Sequence, residues 1–216
     1  MKQFFPPGAN SLARLSLLFV VAALCFVLWA GEMIVRSPYE MVQDTPREQP
    51  VAFSHEHHAG GLGIDCRYCH NTVEVSSFAN IPPTKVCMNC HREMWAASPE
   101  LEPVRESYRT GRSIEWTRVH DLPEYVYFNH SVHVHGGMGC STCHGRVDRM
   151  PLTWQAEPLT MQWCLDCHRN PARYVRPRSE VFNMAYQAPA NQADLGARLV
   201  REYHLQSLTS CSTCHR

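Results

Sequence analysis

Ten of the eleven cysteines fall in five copies of one short motif, Cys-x-x-Cys-His. Two thiols at this spacing can bond to the edge of one porphyrin and the next histidine can bind its iron, so the motif is the signature of covalent c-type haem attachment. The composition would yield only about 0.03 matches by chance. The cysteine pairs are Cys66/Cys69, Cys87/Cys90, Cys140/Cys143, Cys164/Cys167 and Cys211/Cys214, and the predicted proximal iron ligands are His70, His91, His144, His168 and His215.

The rest of the composition excludes several classes of function. The 216 residues carry 20 basic and 20 acidic side chains, a balance that gives no electrostatic footprint for nucleic acid. Zinc ribbons would explain the cysteine pairs but not a histidine after each pair, and disulfides would not need the histidines. No nucleophile or acid–base signature indicates a catalytic residue. We therefore expect five covalently bound c-type haems in an electron-transfer subunit that is no enzyme by itself.

A second motif, Phe-x-His-x-x-His, occurs twice, and each copy precedes a haem motif. The first copy is followed by two haem motifs and the second copy by three, so the chain reads as an internal duplication with two haem modules. The first copy contains Phe53, His55 and His58, and the second contains Phe128, His130 and His133.

This arrangement resembles the small trihaem and tetrahaem cytochromes of the class III type. The resemblance implies that the first histidine of each pair completes the haem of the motif that follows it, and that the second histidine reaches a different haem. His55 and His130 are thus the expected distal ligands of the first and third haems, and His58 and His133 those of two others.

The sequence offers several candidates for the distal ligand of the fifth haem. Met161 and Met150 lie between the third and fourth motifs, and a methionine ligand would raise the reduction potential relative to two histidines. His120 and His204 are the other candidates. We favour one of the methionines, although methionine is as often a packing residue.

Near the N-terminus, residues 15–31 contain no charged side chain. As a helix they would extend roughly 25 Å, a little short of a ~30 Å hydrocarbon core, and Arg14 and residues 33–35 can lengthen the span. A cleaved secretory signal is the alternative, but its apolar core is usually only ~7–15 residues long. Cys25 within this run is expected to be a small apolar side chain, with lipidation as the alternative.

We predict an uncleaved signal anchor over residues 1–35, a linker over 36–50, a first module with two haems over 51–95 and a second module with three haems over 96–216. The basic residues before the span favour a cytoplasmic N-terminus, with the anchor in the cell inner membrane and the haem domain in the periplasm. About 34 exported residues per haem cannot wrap each cofactor separately. The expected fold is therefore one transmembrane helix followed by a mostly α-helical and irregular domain with little β structure, whose core is formed by haems.

Two further helices are expected between the motifs. One begins at Ser98-Pro99 and ends near Gly111, and the other covers about residues 192–204.

Over its whole length the sequence resembles the pentahaem cytochrome subunit of bacterial alternative complex III. The resemblance is carried by the anchor, the two Phe-x-His-x-x-His copies, and the stretches VHDLPEYVYFNH at 119–130 and LTMQWCLDCHR at 159–169. It implies a place in a quinol-oxidising membrane complex beside an iron–sulfur and molybdopterin-enzyme-like subunit, polytopic quinol-binding subunits and a monohaem cytochrome. Electrons would leave to a periplasmic cytochrome or to a terminal oxidase. Spacing alone does not separate this family from the related multihaem subunit of a quinone reductase complex in sulfate reducers.

The sequence motifs leave two alternative functions to be distinguished from electron conduction. A multihaem reductase would need an open iron position, whereas all five proximal positions here are histidine. An anchored quinol dehydrogenase that feeds periplasmic reductases would need partners or dimerisation, because one short span has little room for a quinol pocket.

Overall fold

The computed structural model describes residues 4–215, which form two compact units, one up to Gln43 and one from Asp44 onward. The first unit contains the helix α1 (Ala9–Val35). Its 27 residues correspond to about 40 Å, and its most apolar window has a mean hydropathy of 2.4 and no buried residue. Its length and composition are thus those of a helix that could cross a membrane.

The second unit consists of short helices joined by irregular segments. A π-helical segment, Glu56–Gly61, comes first, and Pro99–Leu101, Val147–Arg149, Pro171–Arg173 and Arg178–Glu180 are single 3₁₀ turns. The α-helices are α2 (Cys66–Cys69), α3 (Thr84–His91), α4 (Glu102–Thr110), α5 (His130–His135), α6 (Cys140–His144), α7 (Met161–Arg169), α8 (Gln192–Glu202) and α9 (Cys211–Cys214). Because residues 4–215 form no β-strand, the predicted helical and irregular fold with little β structure is confirmed.

Each haem motif lies on its own short helix, on α2, α3, α6, α7 and α9 in turn. Two of these helices begin at a side-chain cap that satisfies an otherwise unpaired backbone N–H. The Asp65 carboxylate accepts from the N–H of Arg67 at 2.8 Å before α2, and the Thr160 hydroxyl accepts from Trp163 at 3.3 Å before α7. One helical turn therefore places both thiols of a motif on one side, with the histidine directly after them.

The apolar core formed by side chains is small. Among the described residues ten apolar side chains are buried, several of them in two separate clusters. One cluster contains Val51, Met88 and Val104, and the other contains Val73, Val134 and Val181. Neither cluster is large enough to organise a domain of this length.

The two helices predicted between the motifs are present. The first begins with the turn at Pro99 and continues as α4 until Gly111, which ends it with a left-handed φ of 73°. The second is α8, which packs closely against the turn Pro171–Arg173. A Cβ at Gly196 would lie only 1.8 Å from the carbonyl oxygen of Ala172, so only glycine permits this contact.

The segment predicted as a linker, residues 36–50, is divided between the two units. Its later part is hydrogen-bonded to the second unit. The backbone N–H of Asp44 donates to the carbonyl oxygen of Gln155 at 2.8 Å, and the amide of Gln49 both donates to and accepts from the Thr117 backbone.

Candidate haem sites

The first haem motif brings two histidines face to face. The rings of His55 and His70 are parallel to within 9°, with centroids 6.4 Å apart. The Nδ1 atom of His70 hydrogen-bonds the carbonyl oxygen of Asn80 at 2.7 Å, and that of His55 hydrogen-bonds the hydroxyl of Thr153 at 2.9 Å. The Nε2 atoms are thereby the nitrogens free for a metal.

The third motif repeats this geometry. The rings of His130 and His144 lie 6.3 Å apart and are parallel to within 8°. The Nδ1 atom of His130 hydrogen-bonds the carbonyl oxygen of Ser77 at 2.8 Å. The Nδ1 atom of His144 contacts a third imidazole, that of His120, whose Nε2 lies 3.2 Å away.

The second histidine of each repeat faces the histidine of another motif. His58 and His91 have ring centroids 6.1 Å apart at 65°, and His133 and His168 have centroids 6.0 Å apart at 84°. His58 and His133 each direct Nδ1 to the carbonyl oxygen four residues earlier, at 2.8 and 2.7 Å.

These four pairs fit an iron ion held between two imidazoles. Rings that bind one metal from opposite sides at about 2.0 Å per bond have centroids about 6 Å apart. Metal-binding histidines usually direct their other ring nitrogen to a carbonyl or hydroxyl oxygen, which fixes the tautomer and the ring orientation. The donor set and its supporting hydrogen bonds therefore suit haem iron.

A phenylalanine in each repeat orients both histidines. Phe53 packs against His58 with centroids 4.5 Å apart and presents its ring edge-on to His55 at 4.9 Å. Phe128 packs against His133 at 4.5 Å and lies edge-on to His130 at 4.8 Å. The phenylalanine of the repeat thus has a structural reason for its place.

The fifth motif differs from the other four. The Nδ1 atom of His215 hydrogen-bonds the carbonyl oxygen of Tyr125 at 3.0 Å, and its ring contacts the Tyr125 ring at 5.7 Å. Met161, at the start of α7, is 67% exposed, whereas Met150 is 2% exposed. His204 lies just after α8 with a left-handed φ of 54°.

Burial holds several histidines and thiols of these sites in their neutral forms. Burial, with the charges of neighbouring histidines, lowers the pKa of His55 to about 4 and that of His144 to about 3. The neutral imidazole is the form that binds a metal. Burial raises the pKa of Cys140 to about 11 and that of Cys143 to about 12. All ten thiols of the motifs are free of disulfides.

Thiols from different motifs lie close enough to influence one another. Burial is the main cause of their raised pKa values, and a thiol of the adjacent motif contributes to the rise. The pairs are Cys69 with Cys87, Cys140 with Cys66, Cys143 with Cys167, and Cys164 with Cys214. Direct contacts agree with this arrangement, since the Asn89 amide of the second motif donates to the Tyr68 hydroxyl of the first at 3.0 Å. The five motifs are therefore neighbours in the order second, first, third, fourth, fifth.

Two of the ten predicted attachment thiols are not enclosed by the chain. Cys90 of the second motif and Cys211 of the fifth are exposed, whereas the other eight are partly covered. Cys90 differs in this from Cys87 of the same motif, which is partly covered. The reason is its place, because α3 packs Cys87 against the cluster that contains Val51 and leaves Cys90, one turn later, toward solvent at the end of the row. Haem attachment at Cys90 stays a prediction, which rests on its motif.

A buried arginine holds the third motif. The guanidinium of Arg176, a residue only 6% exposed, donates to Ser141 at 3.2 Å and to Thr142 at 2.9 Å, the two residues between the cysteines. It also lies over the Tyr186 ring at 4.5 Å. Sequence reasoning missed Arg176, because nothing in the motif marks an arginine 34 positions away as its partner.

His57 and His135 lie beside the repeated histidines but outside the Phe-x-His-x-x-His spacing. Both are exposed. The Nε2 atom of His135 forms a 2.8 Å hydrogen bond with the carbonyl oxygen of Glu74. In the four histidine pairs, Nε2 is the nitrogen that faces the metal position.

Comparison with known proteins gives two family matches and one relative. Residues 132–216 match the family described as cytochrome c3, and residues 51–106 match cytochrome c7 and related cytochrome c. The chain is 30% identical over 172 residues to the multihaem cytochrome c subunit of menaquinone reductase from Nitratidesulfovibrio vulgaris. This alignment covers 70% of the chain and 78% of the relative.

Proposed function

Because the chain belongs to the multihaem c-type cytochromes, as a homologue of the menaquinone reductase cytochrome subunit, we propose that it conducts electrons through five haems within a quinone-linked membrane complex. Covalently bound c-type haem and electron transfer come with the family. The haems supply one-electron redox chemistry, and the chain fixes their positions and axial ligands. The proposal rests above all on the four histidine pairs spaced for iron.

We assign two axial ligands to each of four haems from these ring pairs. The proposed proximal and distal ligands are His70 with His55, His91 with His58, His144 with His130, and His168 with His133. With two histidines to hold each iron, none of these four haems would offer an open position to a substrate. This favours a conduit over a reductase.

For the fifth haem we propose His215 and Met161. Met161 lies on α7 one turn before Cys164, and the Cys164 thiol neighbours that of Cys214 in the fifth motif. Met150 has a packing role instead, because its side chain is buried and its carbonyl oxygen accepts from the N–H of Glu56 at 3.1 Å. A single methionine ligand would raise the potential of the fifth haem above those with two histidines.

We propose that this order of neighbouring motifs gives the electrons a linear path. Electrons would pass between the second haem at one end and the fifth at the other, through the first, third and fourth. The second haem is followed by α4, and the fifth lies by the last described residues. Each of these end motifs also carries an exposed thiol, Cys90 in the second and Cys211 in the fifth. We propose these two ends as the places of exchange with other subunits.

We propose that α1 anchors the chain in the cell inner membrane with its N-terminus in the cytoplasm and the haem unit in the periplasm. The helix has no buried residue, and its apolar length suffices for a hydrocarbon core. A cleaved signal is the competing interpretation. Mass spectrometry of the N-terminal peptide of the mature protein distinguishes them, since cleavage would remove the N-terminal residues together with most of α1.

The proposed complex is of the alternative complex III type, which oxidises quinol. Its other members would be an iron–sulfur and molybdopterin-enzyme-like subunit, polytopic quinol-binding subunits and a monohaem cytochrome, with a terminal oxidase as one possible acceptor. A second candidate is a quinone-reducing complex, which the likeness to a menaquinone reductase subunit favours.

The test is purification of the tagged full-length chain with its partners from native membranes. Haem is counted by pyridine haemochrome, the spin state is read by electron paramagnetic resonance, and the subunits are identified by mass spectrometry. We expect five haems, all low-spin, and copurifying polytopic subunits. Reduction of the haems by added quinol supports the first complex, and oxidation of prereduced haems by quinone supports the second. A ligand-accessible high-spin haem in the wild-type protein would refute the conduit.

A further inference from the structure

Among the described residues, His120 is the one histidine outside the motifs whose ring nitrogen contacts the Nδ1 atom of a motif histidine. It lies in the irregular segment between α4 and α5, and its Nε2 is 3.2 Å from the Nδ1 atom of His144. The two rings meet at 78° with centroids 4.3 Å apart. The separation of the two nitrogens is within hydrogen-bond distance, so one ring can donate and the other can accept.

Three of the other proposed proximal ligands hydrogen-bond a main-chain oxygen through Nδ1. His70 hydrogen-bonds Asn80, His91 hydrogen-bonds Met94 at 3.1 Å, and His215 hydrogen-bonds Tyr125, in each case through a carbonyl oxygen. The third site alone among these places a side-chain nitrogen there. At His144 an imidazole nitrogen therefore takes the place that a carbonyl oxygen has at those three sites.

The direction of this hydrogen bond follows from the ring pairing. His144 faces His130 across the metal-ligand distance, so iron would take its Nε2 and leave the hydrogen on Nδ1. Nδ1 then donates to Nε2 of His120, which carries its own hydrogen on Nδ1. The nitrogen that His120 would need for iron is therefore already engaged.

We propose that His120 is a positioning residue for the third haem, which accepts the hydrogen bond of the proximal ligand His144 and thereby lowers the reduction potential of that haem. The inference rests on the proposed function, because it takes His144 as an iron ligand. It places His120 outside the set of iron ligands. An acceptor at Nδ1 makes the ligand more basic and favours the ferric state, and outer partners of this kind commonly change metal affinity or activity 10–100-fold.

The test compares His120→Leu and His120→Gln with the wild-type protein in its complex. Leucine removes the acceptor, whereas glutamine replaces the imidazole with an amide oxygen that can still accept. The matched control is His57→Leu, which removes an exposed imidazole beside the proposed ligand His58. Potentials are measured by redox titration followed by electron paramagnetic resonance, which reports the spin state at the same time.

In His120→Leu we expect five low-spin haems, one of which becomes easier to reduce. At a fixed ambient potential its ratio of reduced to oxidised form rises about tenfold, equivalent to about 59 mV for one electron. His120→Gln gives a smaller rise in the same haem, and the control leaves all five potentials unchanged.

Two results would overturn the inference. A haem that turns high-spin in His120→Leu or His120→Gln would make His120 an iron ligand, and potentials equal to those of the control would deny it any effect. If His120→Leu does not mature with five haems, His120→Gln decides, because a lost ligand gives a high-spin haem and a weakened acceptor does not. Failure of the proposed function itself is separate, since it would show as fewer than five haems or high-spin haem in the wild-type protein.

Discussion

In the first copy of the Phe-x-His-x-x-His motif the second histidine lies on a π-helical segment, whereas in the second copy both histidines lie on the α-helix α5. The ring geometry is nevertheless almost the same. The first histidines face their partners at 6.4 and 6.3 Å, and the phenylalanine packs against the second histidine at 4.5 Å in both copies. The phenylalanine and the Nδ1 hydrogen bonds therefore set the imidazoles, and the type of helix does not.

The two copies differ in the residue that hydrogen-bonds Nδ1 of the first histidine. In each copy this supporting residue lies near the haem motif that follows the other copy. The first histidine of the first copy, His55, is held by Thr153, which follows the third motif. The first histidine of the second copy, His130, is held by the backbone of Ser77, which follows the first motif. Each copy thus contributes a hydrogen-bond partner to the other.

Removal of a distal histidine should have the largest effect. His55→Ala and His130→Ala each remove the proposed sixth ligand of one of the five proposed haems. We therefore expect one haem to become high-spin and electron transfer to fall by more than about 100-fold, beyond the ~10–100-fold typical of outer partners. Electron paramagnetic resonance and quinol-driven turnover of the complex measure both. His57→Ala is the control. Unequal losses of electron transfer in the two variants would show that the two copies are not functionally equivalent.

Substitutions at the two candidate methionines should show which one serves the haem of the fifth motif, a site that has no counterpart of the duplicated histidines. Met161→Leu removes the sulfur of the proposed ligand, so we expect one haem to lose its low-spin signal. Met150→Leu conserves volume at a buried packing site and should cost less than about 1.5 kcal/mol with the haem spectra unchanged. Haem spectra that change in Met150→Leu and not in Met161→Leu would reverse the assignment.

A glycine marks where the first copy touches the segment after the third motif. A Cβ at Gly60 would lie 2.2 Å from the carbonyl oxygen of Asp148, whereas at Gly61 the nearest atom is 3.6 Å away. We expect Gly60→Ala to lower the free energy of unfolding by about 1–3 kcal/mol. Gly61→Ala should be close to neutral. Denaturant unfolding of the holoprotein compares the two variants. Equal midpoints would show that the backbone at Asp148 can move to accommodate a Cβ at Gly60 without a cost in stability.

The smallest effect is expected at the exchanged supports. Thr153→Val removes the hydroxyl that holds His55 and should cost about 0.5–1.5 kcal/mol, with a small change in the signal of one haem. Thr153→Ser keeps the hydroxyl and is the control. The second copy has no equivalent variant, because a backbone carbonyl supports His130. An unchanged haem signal in Thr153→Val would show that the support is dispensable.

Sequence reasoning succeeded where the information is local. A Pro at the start and a Gly at the end mark the helix from Pro99 to Gly111, and the apolar spacing marks α8. The duplication is visible because its phenylalanine and histidines recur at fixed spacing.

The rest depends on residues that meet only in three dimensions. His55 and Thr153 are 98 positions apart, and Arg176 reaches the third motif across 34. His120 looked like one of several candidate ligands, since spacing cannot tell which of its nitrogens is engaged. The exposure of Cys90 could not be predicted either, because all five motifs read alike and only the packing of α3 distinguishes its two thiols. The π-helical segment was also beyond prediction, because its sequence partner in the second copy forms an ordinary α-helix.

The exchanged supports also bear on how the protein is assembled. If the chain is exported as proposed, Ser77 crosses the membrane long before His130, so the backbone that supports His130 is already present when this histidine emerges. Thr153 follows His55 by 98 residues, so the hydrogen bond that supports His55 would form only after the third motif has crossed the membrane. The first site would thus gain this support later than the third site gains its own, and the supports would not be completed in the order of the sequence.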